Sequence, residues 1–219
     1  MEDNSDFKQR KLIQKKELQP GVFEYTFEYD KGFIPGQVVS LRWDVNMPGR
    51  LYSIMSGLSE EGIKILFNIN PNGNLTPRMA KMQPGDKLYI SDPMGKFLGV
   101  NEPAYWIATG TGIAPFISMM RSGMTDDKVL IQGARTLNQF YYSEELEKKF
   151  GQFYIRCCSQ ESKEGVFQGR LTFYLEMEEQ LPKDYKYYLC GSSEMVVEVR
   201  DILIRKGIPF DNILAEIYF

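Results

Sequence analysis

The side chains that usually carry acid–base and nucleophilic chemistry are largely missing from this sequence. Among 219 residues there is no histidine. That removes the commonest general base, the Ser–His and Cys–His pairs, and most metal sites. Chemistry borne by bound cofactors survives the loss, because it asks the protein for alignment and a dry site. Cys157, Cys158 and Cys190 form no CxxC pair and no ferredoxin-like spacing, which speaks against zinc, iron–sulfur clusters and a disulfide framework. The expectation is therefore no metal. Gly110-Thr111-Gly112 sits between an apolar strand and a helix, where glycines let backbone approach a ligand and a helix start favours a pyrophosphate. The full G-x-G-x-x-G pattern is absent, so the turn alone fits a nucleotide site or a plain structural corner equally well.

The elements around these residues fall into two rhythms. Up to residue 100, short alternating runs are separated by turns. Phe23, Tyr25, Phe27 and Tyr29 share one face of Val22–Tyr29 with Glu24, Thr26 and Glu28 on the other, and Ile63, Ile65, Phe67 and Ile69 repeat the period of two. Val38–Trp43, Leu51–Met55 and Lys87–Ser91 lie between turns such as Pro35-Gly36, Pro48-Gly49 and Pro84-Gly85, a pattern that suggests a small antiparallel barrel. From residue 101, strands alternate with helices: Tyr105–Ala108, a helix near Pro115, Val129–Gly133, Ser143–Phe150, Phe153–Cys158, a helix near Leu171–Glu179, Tyr187–Leu189, Glu194–Lys206 and Ile213–Phe219. Such alternation predicts a parallel sheet covered by helices.

The formal net charge of -3 speaks against a protein that coats nucleic acid. No apolar run is long enough to span a bilayer, and Met1-Glu2-Asp3-Asn4-Ser5-Asp6 is unlike a signal peptide, so a cytoplasmic protein without membrane insertion is expected.

Four segments in fixed order give the Gly-Thr-Gly turn its meaning. Arg50-Leu51-Tyr52-Ser53, Ala108 through Phe116 (ATGTGIAPF), Cys190-Gly191 followed by Met195, and Glu216-Ile217-Tyr218-Phe219 resemble the motifs of the ferredoxin/flavodoxin–NADP reductase family, in its bacterial, FAD-containing branch. The resemblance spans about Arg10 to Phe219. It implies a six-stranded antiparallel β-barrel binding FAD over residues 1–100, then a five-stranded parallel sheet flanked by helices binding the nicotinamide dinucleotide over 101–219.

By the same resemblance, Arg50 pairs with the flavin nucleotide's pyrophosphate, Tyr52 packs on the isoalloxazine, and Ser53 hydrogen-bonds near flavin N5. A guanidinium forks onto phosphate oxygens and an aromatic plane stacks on another, so the residue types suit those roles. Asn74, Leu75 and Thr76 match a second flavin segment, in which Thr76 also reads as an N-cap before Pro77. Thr111 would face both nucleotides, with Gly110 and Gly112 beside it. Cys190 and Gly191, with Met195, match the nicotinamide side of the site, Glu216 a carboxylate near the flavin, and Tyr218 an aromatic that covers one flavin face and yields to nicotinamide. Phe219 matches the longer bacterial ending, which contacts the flavin's adenine. The expected catalytic set is Ser53, Cys190, Glu216 and Tyr218.

Arg135, Ser159 and Arg170 match positions that grip the ribose phosphate of NADPH, while Gln160 replaces a third arginine. The absence of an acidic residue at Ser159 tilts the expectation to NADPH, with NADH possible. Lys8, Arg10, Lys11, Lys15 and Lys16 form a basic stretch that either steers an acidic ferredoxin or flavodoxin or is simply solvated. The implied activity is hydride transfer between NADP(H) and FAD and single-electron exchange with such a carrier, in either direction. A relay subunit of a larger NAD(P)H-dependent reductase or oxygenase complex is the alternative.

Overall fold

The computed structural model describes residues 7–218, except for the side chain of Tyr218. The chain divides into two compact units, Met1–Gly99 with Ala114–Gly123, and Val100–Ile113 with Met124–Phe219.

In the first unit, β1 (Lys8–Gln19), β2 (Val22–Phe27), β3 (Val38–Arg42), β4 (Arg50–Ser53), β5 (Ile63–Asn68) and β6 (Lys87–Ile90) form an antiparallel sheet in the order β4-β3-β6-β1-β2-β5. The sheet curls until its outer strands meet. Just past β4, the Met55 N–H donates to the Lys64 carbonyl of β5 at 2.8 Å. Curling buries both edges of the apolar pattern, and the core gathers Tyr25, Phe27, Val39, Leu41, Ile63, Ile65 and Phe67.

One local expectation needs correction. The alternation in β2 predicts an outward polar face, yet Glu24 and Thr26 are buried, at 8% and 6% exposure, because β2 lies between β1 and β5. The basic N-terminal stretch lies on a twelve-residue strand that leaves Lys8, Lys11 and Lys16 exposed. Arg10 pairs with Asp30 at 2.7 Å and Lys11 with Glu28 at 3.2 Å. Lys15 donates to the Ala80 and Met82 carbonyls at 2.7 and 3.1 Å, closing off the end of the short helix α1 (Thr76–Met79). Tyr25 fixes the same helix from the core, its hydroxyl donating to the Met79 carbonyl at 2.5 Å.

The helix α2 (Ala114–Arg121) groups with this first unit, whereas a division at residue 100 assigns it to the second. Its packing explains the difference: Phe116 meets Phe97 with ring centroids 5.9 Å apart, and the Ser118 hydroxyl donates to the Ser56 carbonyl at 2.6 Å. Pro115 is the second residue of the helix, where a missing N–H costs nothing.

Glu60 secures the loop after β4 to α2. Its carboxylate accepts from the Gly57 N–H at 2.7 Å, takes the Lys64 ammonium and lies 3.6 Å from Arg121. Burial works to raise its pKa, but the Lys64 hydrogen bond, the Gly57 N–H and the Arg121 charge outweigh it and leave the value lowered. A lowered folded pKa means that this group's stabilisation is complete above the unfolded value, near 4.5, and drains away as pH falls through the folded one. Thermal melting of wild type and E60Q from neutral to acid pH should show a stability gap that narrows as pH falls below 4.5. A gap that does not change with pH would remove Glu60 as its source.

The second unit is a parallel sheet of β7 (Ala104–Thr109), β8 (Lys128–Ala134), β9 (Tyr154–Cys158), β10 (Phe167–Gln168), β11 (Lys186–Ser192) and β12 (Ile213–Tyr218), in the order β10-β9-β8-β7-β11-β12. Six strands stand where five are expected. The extra one, β10, has only two residues, too few to show a period in sequence. The helices α3 (Ser143–Phe150), α4 (Leu171–Met177) and α5 (Ser193–Arg205) complete the unit. Leu171, Leu175, Val196, Val199 and Leu203 from α4 and α5 pack on Ile107, Ile131, Tyr187 and Leu189 of the sheet. No helix among the described residues is long and apolar enough to cross a membrane.

Candidate functional site

In the first unit the candidate residues lie on β4 and on the turn that opens α1. Pairing of β3 with β4 sets Leu41 opposite Arg50, Val39 opposite Tyr52 and Val38 opposite Ser53. Exposure falls along the strand: Arg50 and Leu51 are open, Tyr52 is half-buried and Ser53 is 2% exposed. The Tyr52 ring rests edge-on against Phe67, with centroids 6.3 Å apart. Burial pushes its phenol up to about 12 despite the opposing Arg50 charge, so the ring stays neutral and offers an aromatic plane.

The turn before α1 is tied by its own polar groups. The Asn70 N–H donates to the Thr76 hydroxyl oxygen at 2.9 Å, and Gly73 N–H to the Asn70 carbonyl at 2.9 Å. The N-cap position belongs to Leu75, whose side chain is buried, and not to Thr76 as the sequence suggests. The Thr76 hydroxyl serves the loop instead, as acceptor of the Asn70 N–H. Leu75 can therefore present only backbone to a ligand, while Asn74 is exposed. Arg78, on α1, stands 3.9 Å from the Met47 sulfur in the loop joining β3 and β4. Neither Arg50 nor Arg78 makes an ion pair among the described residues. Two guanidiniums outside any ion pair among the described residues and a neutral, half-buried ring fit a flavin nucleotide's phosphates and planar ring system.

In the second unit the candidates gather at the carboxyl ends of the parallel strands. The chain runs outward from β7 through β8 and β9 to β10, then returns to the other side of β7 as β11 and β12. The reversal lies between β7 and β11, the place where open α/β sheets bind ligands. Gly110–Ile113 forms a 3-10 turn directly after β7, with Gly110 at φ +55°. Two glycines let the strand ends touch. A Cβ on Gly112 would lie 2.4 Å from the Cys190 carbonyl oxygen, and one on Gly191 would lie 2.3 Å from the Thr109 hydroxyl oxygen and 2.7 Å from the Met195 methyl. Thr111 sits half-buried on this turn.

Cys190 is fully buried and outside any disulfide, in register with Ala108 on one side and Glu216 on the other. Sheet register, not sequence proximity, joins Cys190 to half-buried Glu216. The other cysteines stand apart: burial alone pushes the Cys157 thiol up to about 12, and Cys158 donates to the Arg135 carbonyl at 3.2 Å. Tyr218 pairs through its backbone with Ser192, but its side chain and all of Phe219 lie outside the described residues. Ser192, which the motif reading passes over, caps α5 by accepting the Met195 N–H at 3.3 Å. Its position just before a helix of apolar periodicity is the signal that could have found it.

Arg135, Ser159 and Arg170 follow the ends of the adjacent strands β8, β9 and β10, so the topology brings all three to one rim. All are exposed. The Arg135 guanidinium has no ion pair among the described residues, whereas Arg170 lies 3.1 Å from Glu198 and 3.5 Å from Glu194. No metal-ligating cluster occurs among the described residues.

Residues 106–201 match the family model of the oxidoreductase NAD-binding domain. The flavodoxin/ferredoxin–NADP reductase of Escherichia coli is 28% identical over 188 residues, covering 75% of this chain and 76% of that protein. A component of the Na(+)-translocating NADH-quinone reductase of Psychrobacter cryohalolentis is 27% identical over 226 residues, covering 90% of this chain but only 51% of that component. This chain thus spans about half the length of that relative. The ferredoxin NADP+ reductase of Neisseria gonorrhoeae, solved with bound FAD and NADP, shares the fold at a TM-score of 0.88 and 19% identity, over 98% of this chain and 99% of that one. An antiparallel barrel followed by a parallel sheet with a glycine turn at its switch point is the fold that this chain shares with that reductase. In sequence, the chain is similar to flavodoxin/ferredoxin–NADP and ferredoxin–NADP reductases over about three quarters of its length.

Proposed function

We propose that this chain is an FAD-dependent oxidoreductase that exchanges hydride with a nicotinamide dinucleotide and single electrons with a separate protein carrier. The observation that carries the reading is β4, where an uncommitted Arg50 stands beside the neutral, core-anchored ring of Tyr52. A bound flavin supplies the redox chemistry, accepting two electrons at once and releasing them singly. The chain's own residues supply placement. In this reading residues 1–100 hold the flavin and 101–219 the dinucleotide. Arg50 neutralises phosphate charge, Tyr52 holds one face of the ring system, and the buried Ser53 offers a hydroxyl at its edge. The Gly110–Gly112 turn and the end of β11 receive the dinucleotide, with Cys190 shaping the nicotinamide pocket and Glu216 and Tyr218 completing it. A ferredoxin or flavodoxin is the proposed carrier. Arg10, Lys11 and Lys15 are engaged within the barrel, so exposed Lys8 and Lys16 are the part of the β1 basic run proposed to steer it.

A relay role inside a larger complex is the second reading. It is favoured by the likeness to the NADH-quinone reductase component and to the toluate 1,2-dioxygenase electron transfer component of Pseudomonas putida, which is 26% identical and of which this chain covers 58%. Anaerobic titration of the purified chain with NADPH and NADH, followed by the visible flavin spectrum, tests the core of both. Bleaching of a yellow protein is expected. A colourless protein that retains neither FAD nor FMN would sink them together. Turnover with a soluble carrier separates them, since a relay component would reduce its flavin yet serve none.

A further inference from the structure

The rim that follows β8, β9 and β10 offers less positive charge than its sequence suggests. Gln160 replaces an arginine of the resembled family. Arg170, the N-cap residue of α4, is held across the gap to α5 by Glu198 at 3.1 Å and Glu194 at 3.5 Å. These carboxylates are four residues apart on one face of a thirteen-residue helix, so both reach the same guanidinium. Arg170, Ser193, Glu194, Val197 and Glu198 line an open groove of about 600 Å³, which places both acids on its wall.

A third carboxylate stands on the same rim. Glu161 accepts the Leu137 N–H at 2.6 Å, occupying a backbone donor two residues after Arg135. The turn carrying it is folded back by the Ser159 and Gln160 N–H groups, which donate to the Ala134 and Arg135 carbonyls at 3.0 and 2.9 Å. A doubly charged phosphate arriving here would meet one uncommitted guanidinium, Arg135. To recruit Arg170 it would have to displace two carboxylates and remain beside them, and like charges brought together weaken binding. The unphosphorylated ribose carries no such charge.

We propose that Glu194 and Glu198 are specificity-determining residues: by holding Arg170 they withhold it from the ribose 2′-phosphate and bias this chain toward the unphosphorylated dinucleotide. The inference rests on the reading of the second unit as a dinucleotide domain. Glu194 also lies in the first turn of α5, where a carboxylate suits the helix dipole, so E198Q is the cleaner variant and E194Q/E198Q the stronger one.

The test is calorimetric titration of the full chain with adenosine 2′,5′-bisphosphate and with 5′-AMP, two probes that differ by the phosphate in question. E198Q should bind the bisphosphate about fivefold more tightly than wild type and the double variant more tightly still, with 5′-AMP affinity unchanged, as expected for relief of exposed charge interactions. Adding R170A to either variant should cancel the gain, while R170A alone should cost wild type little. High salt should shrink the difference. No gain in the glutamine variants, or a gain that survives R170A, overturns the proposal while leaving the dinucleotide reading intact. If no form of the chain binds either probe, the dinucleotide reading itself fails and the proposal with it.

Discussion

Replacing Arg50 with alanine is expected to weaken FAD binding by about 10- to 100-fold, the loss that follows removal of charge-assisted hydrogen bonds worth roughly 1.5–3 kcal/mol. The melting temperature of the flavin-free chain should not move, because Arg50 is exposed and makes no ion pair among the described residues. Arg50→Lys keeps the charge but not the planar fork and should fall between. Tyr52→Phe should bind FAD nearly as well as wild type, since the phenol is neutral and its ring is what the site uses. Tyr52→Ala should lose the stacking surface. Fluorescence titration of FAD against the flavin-free protein reads all four variants. An Arg50→Ala protein that melts early yet binds FAD normally would make Arg50 a structural residue and remove the observation on which the proposed function rests.

That variant is interpretable because its site was legible from local sequence. The Arg-x-Tyr-Ser string lies on one four-residue strand, and period-two alternation alone settles that Arg50 and Tyr52 share a face. The same holds for Gly110–Gly112, whose position after an apolar strand and before Pro115 marks a strand-to-helix turn. What local sequence does not carry is pairing across distance. Lys15 reads as one more charge in a basic run, yet it closes α1 some 65 residues away. Thr76 reads as an N-cap, and only the return of Asn70 in three dimensions shows why the hydroxyl serves the loop. Arg170 matches a phosphate-gripping position, and nothing local shows that α5 brings Glu198 beside it, 28 residues on. Each of these concerns a polar side chain with several possible partners. Strands with a clear apolar period, such as β2, β3 and β5, lie within a few residues of the expected bounds, whereas β1, whose run is mostly charged, and two-residue β10 show no such period.

Gly112→Ala tests the proposed dinucleotide turn of the second unit and should be the more damaging of the two changes. No unusual dihedral is involved, so the effect is purely one of space. The new methyl would stand 2.4 Å from the Cys190 carbonyl oxygen, 2.6 Å from its carbon and 2.7 Å from the Gly191 Cα. All three are backbone atoms of a strand bonded to β7 on one side and β12 on the other, so none can rotate away. Forced overpacking of this kind costs about 1–3 kcal/mol, and here the strain falls where β7 and β11 part to admit a ligand. A displacement of the turn by about 1 Å is enough to cost about 100-fold in a hydride-transfer alignment. The expected result is a chain that retains FAD, because the proposed flavin residues belong to the other unit, but whose flavin is reduced by NADH or NADPH at least about 100 times more slowly in an anaerobic stopped-flow trace. Gly110→Ala provides the contrast. Its added Cβ meets nothing within 4 Å, and its φ of +55° imposes only the modest cost of a left-handed residue. It should lose stability without an equal loss of reduction rate. If Gly112→Ala reduces its flavin as fast as wild type, the close approach of the glycine turn to Cys190 is packing alone. The dinucleotide would then have to bind somewhere other than the switch point between β7 and β11.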